Sequence, residues 1–405
     1  MNYLKSTQNQ AANEITKTRP IRILHVVGWM NRGGVETWLM HILRNIDRNL
    51  FEMDFVLHTS ESCHYNDEIL SLGSRIIVSP YKPHPNRHWW NYMANFRQIL
   101  EEHGPYDVVH SHLDYFSGNI LRIAEQAGVP VRIAHSHNDT SFLVAKGGWK
   151  ASLYVAWLKM RISRYATVGL ACSGKAAVDL FGSQWKSDRR WQILHYGVDL
   201  APFQEQIDPA LVRAELDIPQ DAFVIGHVGR FELQKNHPFL LKIVAQIARQ
   251  EPKMCLLLIG HGSLRCDVEY EVAQLGLTDK VIIAGVRSDI PRLMLGAMDV
   301  FLFPSLFEGL PLVLIEAQAA GLPCIFSDVI SEEIDVVKPL MKRLSLSNSP
   351  SKWAEAVLAR KKANLPIERS EALSILQKDS QFNIKCCAKS LAAIYTEQLD
   401  RTKML

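Results

Sequence analysis

"DVFLFPSLFEGLPLVLIEAQAAGLPCIFSD", residues 299–328, contains a complete strand, helix and strand. Its two ends, "DVFLFPS" and "LPCIFSD", are short apolar runs of the kind that a parallel sheet buries on both faces. Between them Pro311 stands where a helix starts, and Gly321 followed by Pro323 stands where one stops. The same stretch carries two acids, Glu308 and Glu316, eight positions apart. On one continuous helix they would lie about 80° apart, at about 100° per residue. Glu308 precedes the helix, however, so the Gly-Leu-Pro turn can fold it back over the helix mouth that Glu316 approaches from within. The amides of Leu310, Leu312 and Val313 point into the same pocket, and a helix N-terminus favours phosphate. A ligand carrying both phosphates and hydroxyls suits such a pocket.

Working outward, the unit repeats. From Arg22 the runs "IRILHVVGWM", "FEMDFVLHT", "SRIIVSP", "YDVVHSHL", "VPVRIAHSH", "TVGLACS" and "WQILHYG" alternate with helical patterns. A second series follows with "AFVIGHVGRF", "KMCLLLIGHG", "KVIIAGV", "DVFLFPS" and "LPCIFSD". This is βαβ architecture twice over, an α/β chain of two Rossmann-like domains facing a cleft. Gly197 and Asp199 in "HYGVDLAPF" mark the change of series. The expected division is a disordered polar leader over 1–20, a first domain over 21–198 and a second over 199–384. The helical segment over about 385–405 is expected to pack back on the first domain.

Composition excludes several classes. Lys and Arg number 45 against 42 acids, a net charge of +3, which gives no global nucleic-acid signal. Hydrophobic residues make up 47% of the chain, enough for large cores. No apolar run reaches the roughly 18 residues that span a bilayer. The seven cysteines show neither metal-ligand spacing nor a disulfide framework, which fits a reducing cytoplasm.

In open α/β sheets ligands sit beyond the carboxyl ends of the strands. The loop "GWMNRGGVET" offers Gly33 and Gly34, where bare backbone can approach a phosphate or sugar, or simply turn. It is not the spaced glycine fingerprint of a dinucleotide site. "VGRFELQKNH" places Arg230 and Lys235 on one loop, able to neutralise a diphosphate or to stand as solvated charges. "RIAHSHND" puts His135 and His137 on one side of a strand end, as a functional histidine or as loop hydrogen-bonders. His110 and His112 pose the same question. No third ligand with metal spacing and no Asp-x-Asp pair is visible. "KPHPNRHWWNYMANFR" and "AKGGWKASLYVAWLKMRISRYA" mix cations with aromatics, as membrane-surface segments or as helices with basic outer faces.

Together these pieces resemble the retaining glycosyltransferases of family four, which have the two-Rossmann architecture called GT-B. "FEGLPLVLIEA" matches that family's Glu, seven residues, Glu motif. "GRFELQKNH" resembles its donor-phosphate loop, "LIGHGSLR" its next strand-end loop and "MNRGGVET" its amino-domain glycine loop. "HYGVDLAPF" is similar to its hinge, with Tyr196 where Asn is usual. The combination looks most like the bacterial exopolysaccharide and capsule branch, the EpsF-like transferases.

The resemblance implies a nucleotide sugar as donor substrate, a UDP-sugar, with no cofactor and no metal. Glu316 would hold the ribose hydroxyls, Glu308 the sugar, and Arg230 and Lys235 the diphosphate, whose departure they would stabilise. Leu310, Leu312, Gly229, Gly260 and Gly262 would line the donor side. His137, or His135, would face the donor sugar and acceptor, and Gly33 and Gly34 would close the cleft. It further implies front-face substitution with retention onto a glycan or lipid-linked oligosaccharide, by a cytoplasmic enzyme at the inner membrane face that binds no nucleic acid. Two other readings stand beside it: another activity on a related scaffold, such as a nucleotide-sugar 2-epimerase or a dinucleotide-dependent oxidoreductase, and a non-catalytic subunit of a polysaccharide assembly complex.

Overall fold

The computed structural model describes residues 19–81, 89–362, 367–378 and 380–404. Most of the expected leader and the start of "KPHPNRHWWNYMANFR", residues 82–88, lie outside them. Arg19 pairs with Asp107 at 2.7 Å.

The first domain is a seven-stranded sheet of β1 (Ile21–Val26), β2 (Phe51–Leu57), β3 (Ile76–Val78), β4 (Val108–Ser111), β5 (Val131–Ser136), β6 (Val168–Ala171) and β7 (Trp191–Ile193). The second is a six-stranded sheet of β8 (Phe223–Val228), β9 (Met254–Ile259), β10 (Val281–Ile283), β11 (Val300–Phe303), β12 (Cys324–Ser327) and β13 (Met341–Leu344). The strand orders are β3-β2-β1-β4-β5-β6-β7 and β10-β9-β8-β11-β12-β13, with parallel pairing throughout. The expected fold class is therefore present. The apolar runs read from the sequence form β1 to β12. β13 is an addition: Lys342 and Arg343 break its apolar pattern, which an edge strand tolerates.

Both sheets are buried on two faces. Leu39, Ile42 and Leu43 of the helix Gly34–Asn45 pack on the first, and Leu240, Ile243, Val244 and Ile247 of the helix His237–Ala248 pack on the second. Each such side chain contributes about 1.5–3 kcal/mol of burial. Connections leave β1 toward β2 and β8 toward β9, while β4 and β11 lie on the other sides, so each sheet has a switch point where its loops part. Across the cleft, the loops after β1 and β5 of the first sheet meet those after β8 and β11 of the second, Trp29 beside Arg230 and His137 against Gly309.

The chain crosses between domains twice at one place. Val198 donates to Phe382 O at 2.9 Å on the way out, and Ile384 donates to Val198 O at 3.3 Å on the way back. A Cβ on Gly197 would collide with the Ile384 backbone, so only glycine fits there. The returning helix Ile384–Lys403 buries Cys387, Ala388, Leu391 and Tyr395 against the first domain. Trp38 Nε1 donates to Cys387 Sγ at 3.4 Å.

Candidate active site

The loop after β8 is fastened to the loop after β11. Leu306 N donates to Gln234 O at 2.8 Å, Gln234 Nε2 to Phe307 O at 2.9 Å and Asn236 Nδ2 to Pro304 O at 3.0 Å. Asn236 takes a left-handed φ of 55°, which turns the chain into the following helix. The result brings Lys235 Nζ to Glu308 Oε1 at 2.5 Å, with Gln234 Nε2 on the other oxygen at 3.1 Å. Their side chains are only 14% and 6% exposed, so this is a buried ion pair. Such a pair adds little net stability, because desolvation offsets its attraction. What it provides is a cation already stripped of water beside the helix Leu312–Ala319.

The neighbouring loop approaches by bare backbone. Gly260, at φ 141°, lies where a Cβ would strike Gly229 O, and Gly262 where one would strike Phe231 O. A Cβ on Gly229 would press on the Lys235 stem at 3.1 Å. Arg230 is exposed, its guanidinium 6.0 Å from the Trp29 ring of the first domain. Glu316 stands half-buried on the helix Leu312–Ala319, and burial pushes its carboxyl up to about 7. Leu310 and Leu312 are buried at the helix mouth.

The first domain supplies the opposite wall. Gly33 caps the helix Gly34–Asn45 without a side chain, and the space beside Gly34 is open. At Gly309, which follows Glu308, a Cβ would collide with the His137 carbonyl oxygen. Glu333 of the second domain accepts from Gly174 N at 3.0 Å and lies 3.2 Å from His195 Nε2. Burial would raise the Glu333 carboxyl, but these partners outweigh it and hold it low. Lys175 Nζ donates to Val329 O at 2.6 Å.

Beneath this wall lies a layer of imidazoles. Parallel register sets His25 beside His110 and puts His135 one strand further on. His25 Nδ1 and His112 Nε2 are 2.9 Å apart, and His112 Nδ1 and His137 Nε2 are 2.8 Å apart. His137 Nδ1 is hydrogen-bonded to the Tyr196 hydroxyl. A second row runs from the Tyr395 hydroxyl to His110 Nδ1 at 2.8 Å and from His110 Nε2 to His135 Nδ1 at 3.1 Å. The rows stack, His110 on His112 and His135 on His137, each at 4.3 Å between centroids. Burial drives His25 and His137 down to about 3, although Asp54 opposes the shift at His25. It also drives His110, His112 and His135 well below their ordinary value.

Two triads in the layer, His25 with His110 and His112, and His112 with His135 and His137, hold ring nitrogens within 4.8 Å of one another. Hydrogen bonds within rows and stacking between them turn most of these lone pairs toward other rings, and neither triad contains a carboxylate to balance a dication. Both His137 nitrogens are engaged, so the part of this residue that meets the Glu308 loop is its carbonyl. His135 lies deeper, with Nε2 lacking a hydrogen-bond partner among the described residues.

Known proteins carry the same pattern. Residues 33–197 match the family described as Glycosyl transferase 4-like domain, and residues 210–369 match Glycosyl transferases group 1. Over 368 residues the chain is 40% identical to a protein of Bacillus subtilis (strain 168) that carries the name glycosyltransferase EpsF, covering 90% of this chain and 94% of that one. This chain belongs to the group 1 glycosyltransferases. The transferase is also 30% identical over 229 residues to an Escherichia coli UDP-Gal:alpha-D-GlcNAc-diphosphoundecaprenol alpha-1,3-galactosyltransferase, covering 55% of this chain and 58% of that one. Among solved structures, Anabaena Alr3699/HepE in complex with UDP and glucose superposes with a TM-score of 0.75 at 18% identity, covering 93% of this chain and 99% of that one. That likeness shows the GT-B fold.

In the transferase a groove of about 470 Å³, lined by residues such as Phe223, Met298, Pro323 and Arg360, opens at the amino ends of β8, β11 and β12. It lies at the far edge of the sheet from Lys235 and Glu308, outside the cleft. Sequence reading missed Gln234, Gly309 and Glu333, which position the cleft. A glycine directly after Glu308 was the available signal for Gly309. No local pattern announces Glu333.

Proposed function

We propose that this transferase moves a sugar from a UDP-sugar, with retention and without a metal ion, onto a glycan or lipid-linked oligosaccharide of exopolysaccharide or capsule synthesis. The observation that carries the donor reading is the buried Lys235–Glu308 pair on a loop that also bears the exposed Arg230. An incoming diphosphate offers Lys235 and Arg230 anionic oxygens, and Lys235 can exchange Glu308 for phosphate. Glu308, released, is then placed to accept from the hydroxyls of the donor sugar, while Glu316 serves the ribose. The two cations do for the departing phosphate what a divalent ion does elsewhere. In the front-face route the departing phosphate takes the proton of the attacking hydroxyl as the new bond forms on the same side. Closure at the Gly309–His137 contact excludes water from this step. The UDP in the HepE complex and the UDP-galactose and lipid diphosphate in the name of the E. coli relative support these substrate classes.

The acceptor class bears on location. Among the described residues no helix is long and apolar enough to cross a membrane. On the helix Gly148–Tyr165, however, Trp149, Leu153, Trp157 and Met160 are 70%, 62%, 40% and 62% exposed. Their spacing sets them along one side of the helix, with exposed Lys150 and Arg164 nearby. This stripe suits an anionic lipid surface, and we place the enzyme on the cytoplasmic face of a membrane that holds its acceptor.

The donor reading is tested by thermal shift with UDP, GDP, ADP and NAD at equal concentration. A ligand at about 100 times its dissociation constant adds about 2.7 kcal/mol. UDP is expected to shift the wild type and to lose its effect in Lys235→Gln, which keeps a donor for Glu308. A shift with NAD alone, or with none of the four, would sink the reading.

A further inference from the structure

Glu36 has no part in the site described so far. It occupies the third position of the helix Gly34–Asn45, and its carboxyl curls back over Gly33, where a Cβ would collide with it. The loop after β1 brings the Trp29 indole to this carboxyl, and Arg230 acts on it from the second domain. Arg230 also stands over the Trp29 ring. Glu36 is therefore a first-domain carboxyl in the mouth of the cleft, facing the cation that the donor diphosphate needs.

A glutamate at the third position of a helix has an ordinary structural task, since it can reach back to the amide of the capping residue. That task needs an acceptor oxygen there but no charge, and glutamine performs it as well. It does not require a place opposite Arg230.

We propose that Glu36 receives the acceptor: its carboxyl holds the attacking hydroxyl of the incoming glycan, and it yields Arg230 to the diphosphate when the donor binds. The proposal rests on the reading of Arg230 and Lys235 as the diphosphate site. Burial raises the Glu36 carboxyl to about 7, against the lowering effects of its own backbone amide, Arg230 and Trp29. The titratable and charged groups that act on it are Arg230 across the cleft and the Tyr196 hydroxyl of its own domain. A bound diphosphate removes the help of Arg230 and adds negative charge, so Glu36 takes up a proton as the donor arrives. Protonated, it both donates to and accepts from a sugar hydroxyl.

Calorimetric titration of UDP at pH 7 in two buffers of different ionisation enthalpy measures the proton. Wild type is expected to take up more protons per UDP than Glu36→Gln, by a fraction of one, since the titrations of Glu316 and of the UDP terminal phosphate are common to both proteins and cancel in the difference, with an unchanged melting temperature and UDP affinity equal or tighter. Transfer of radiolabelled sugar from the UDP-sugar into membranes of the source organism reads the acceptor. Glu36→Gln should raise the half-saturating membrane concentration about tenfold and leave the donor KM within about twofold, a split that a lost helix cap would not produce. If wild type binds no UDP, the diphosphate reading falls and this inference with it. If UDP binds but Glu36→Gln keeps wild-type proton uptake or acceptor dependence, the inference alone falls.

Discussion

Replacing His25 by leucine removes one ring from the imidazole layer with little change in volume, and the layer makes a quantitative demand on the outcome. In the folded protein His25 is fully buried and held down to about 3, burial being the main cause and Asp54 opposing it. In the unfolded chain it titrates near 6.5. A group with a depressed folded value contributes stability above its unfolded value and loses it as pH falls through that value toward the folded one. At pH 5 the unfolded chain has taken up nearly one proton at this position and the folded chain almost none, which costs wild type about 2 kcal/mol relative to neutral pH. His25→Leu carries no such term. At pH 7.5 the variant should be less stable by about 1–3 kcal/mol, because His112 Nε2 loses its partner. At pH 5 that gap should shrink by about 2 kcal/mol and close or reverse. Comparing variant with wild type at each pH cancels the opposing titration of the raised carboxyls Glu36 and Glu316. Thermal unfolding followed by circular dichroism resolves the change, since 1 kcal/mol moves the midpoint by about 2–4 °C for a domain of this size. A gap constant between pH 7.5 and 5 would refute the reasoning, because it would mean that His25 charges inside the fold at no cost.

Gly309→Ala sets a methyl group against the His137 carbonyl. The cleft then cannot close fully, and kcat should fall at least about tenfold, or about 1.4 kcal/mol in barrier, with the circular dichroism spectrum unchanged; wild-type turnover would discard the contact as a closure element. The combined Trp149→Ser, Leu153→Ser and Trp157→Ser variant should lose co-sedimentation with phosphatidylglycerol vesicles while keeping UDP binding. Wild-type protein that stays in the supernatant would remove the membrane from the picture.

The fold was legible because its strands are nearly continuous apolar runs punctuated by residues such as Pro311 and Gly321, whose φ of 74° residues other than glycine, Asn and Asp rarely adopt. β13 was not, since Lys342 and Arg343 hide an edge strand. Contacts were harder. Lys235 and Glu308 are 73 residues apart, and only the neighbouring places of β8 and β11 bring their loops together. His110 with His112 and His135 with His137 were each visible as alternate residues on one side of a strand. Reading each pair alone concealed that parallel register would join them, with His25, into one layer. Glu36 stood in a stretch noticed for its glycines, and its character depends on Arg230, which reaches it from the other domain.

The returning helix Ile384–Lys403 also orders events in time. The first domain is synthesised first, yet the side of its sheet that carries His110 and Trp38 is covered by Cys387 and Tyr395. Roughly 200 residues must be made between β7 and the end of that helix, which at about 5–20 residues per second takes on the order of 10–40 s. During that interval the second domain can form its sheet completely from contiguous chain, whereas the first waits with an aromatic and imidazole face uncovered. The half of the enzyme that leaves the ribosome first is thus the half that is finished last, and a chain truncated before Asn383 would keep that face bare.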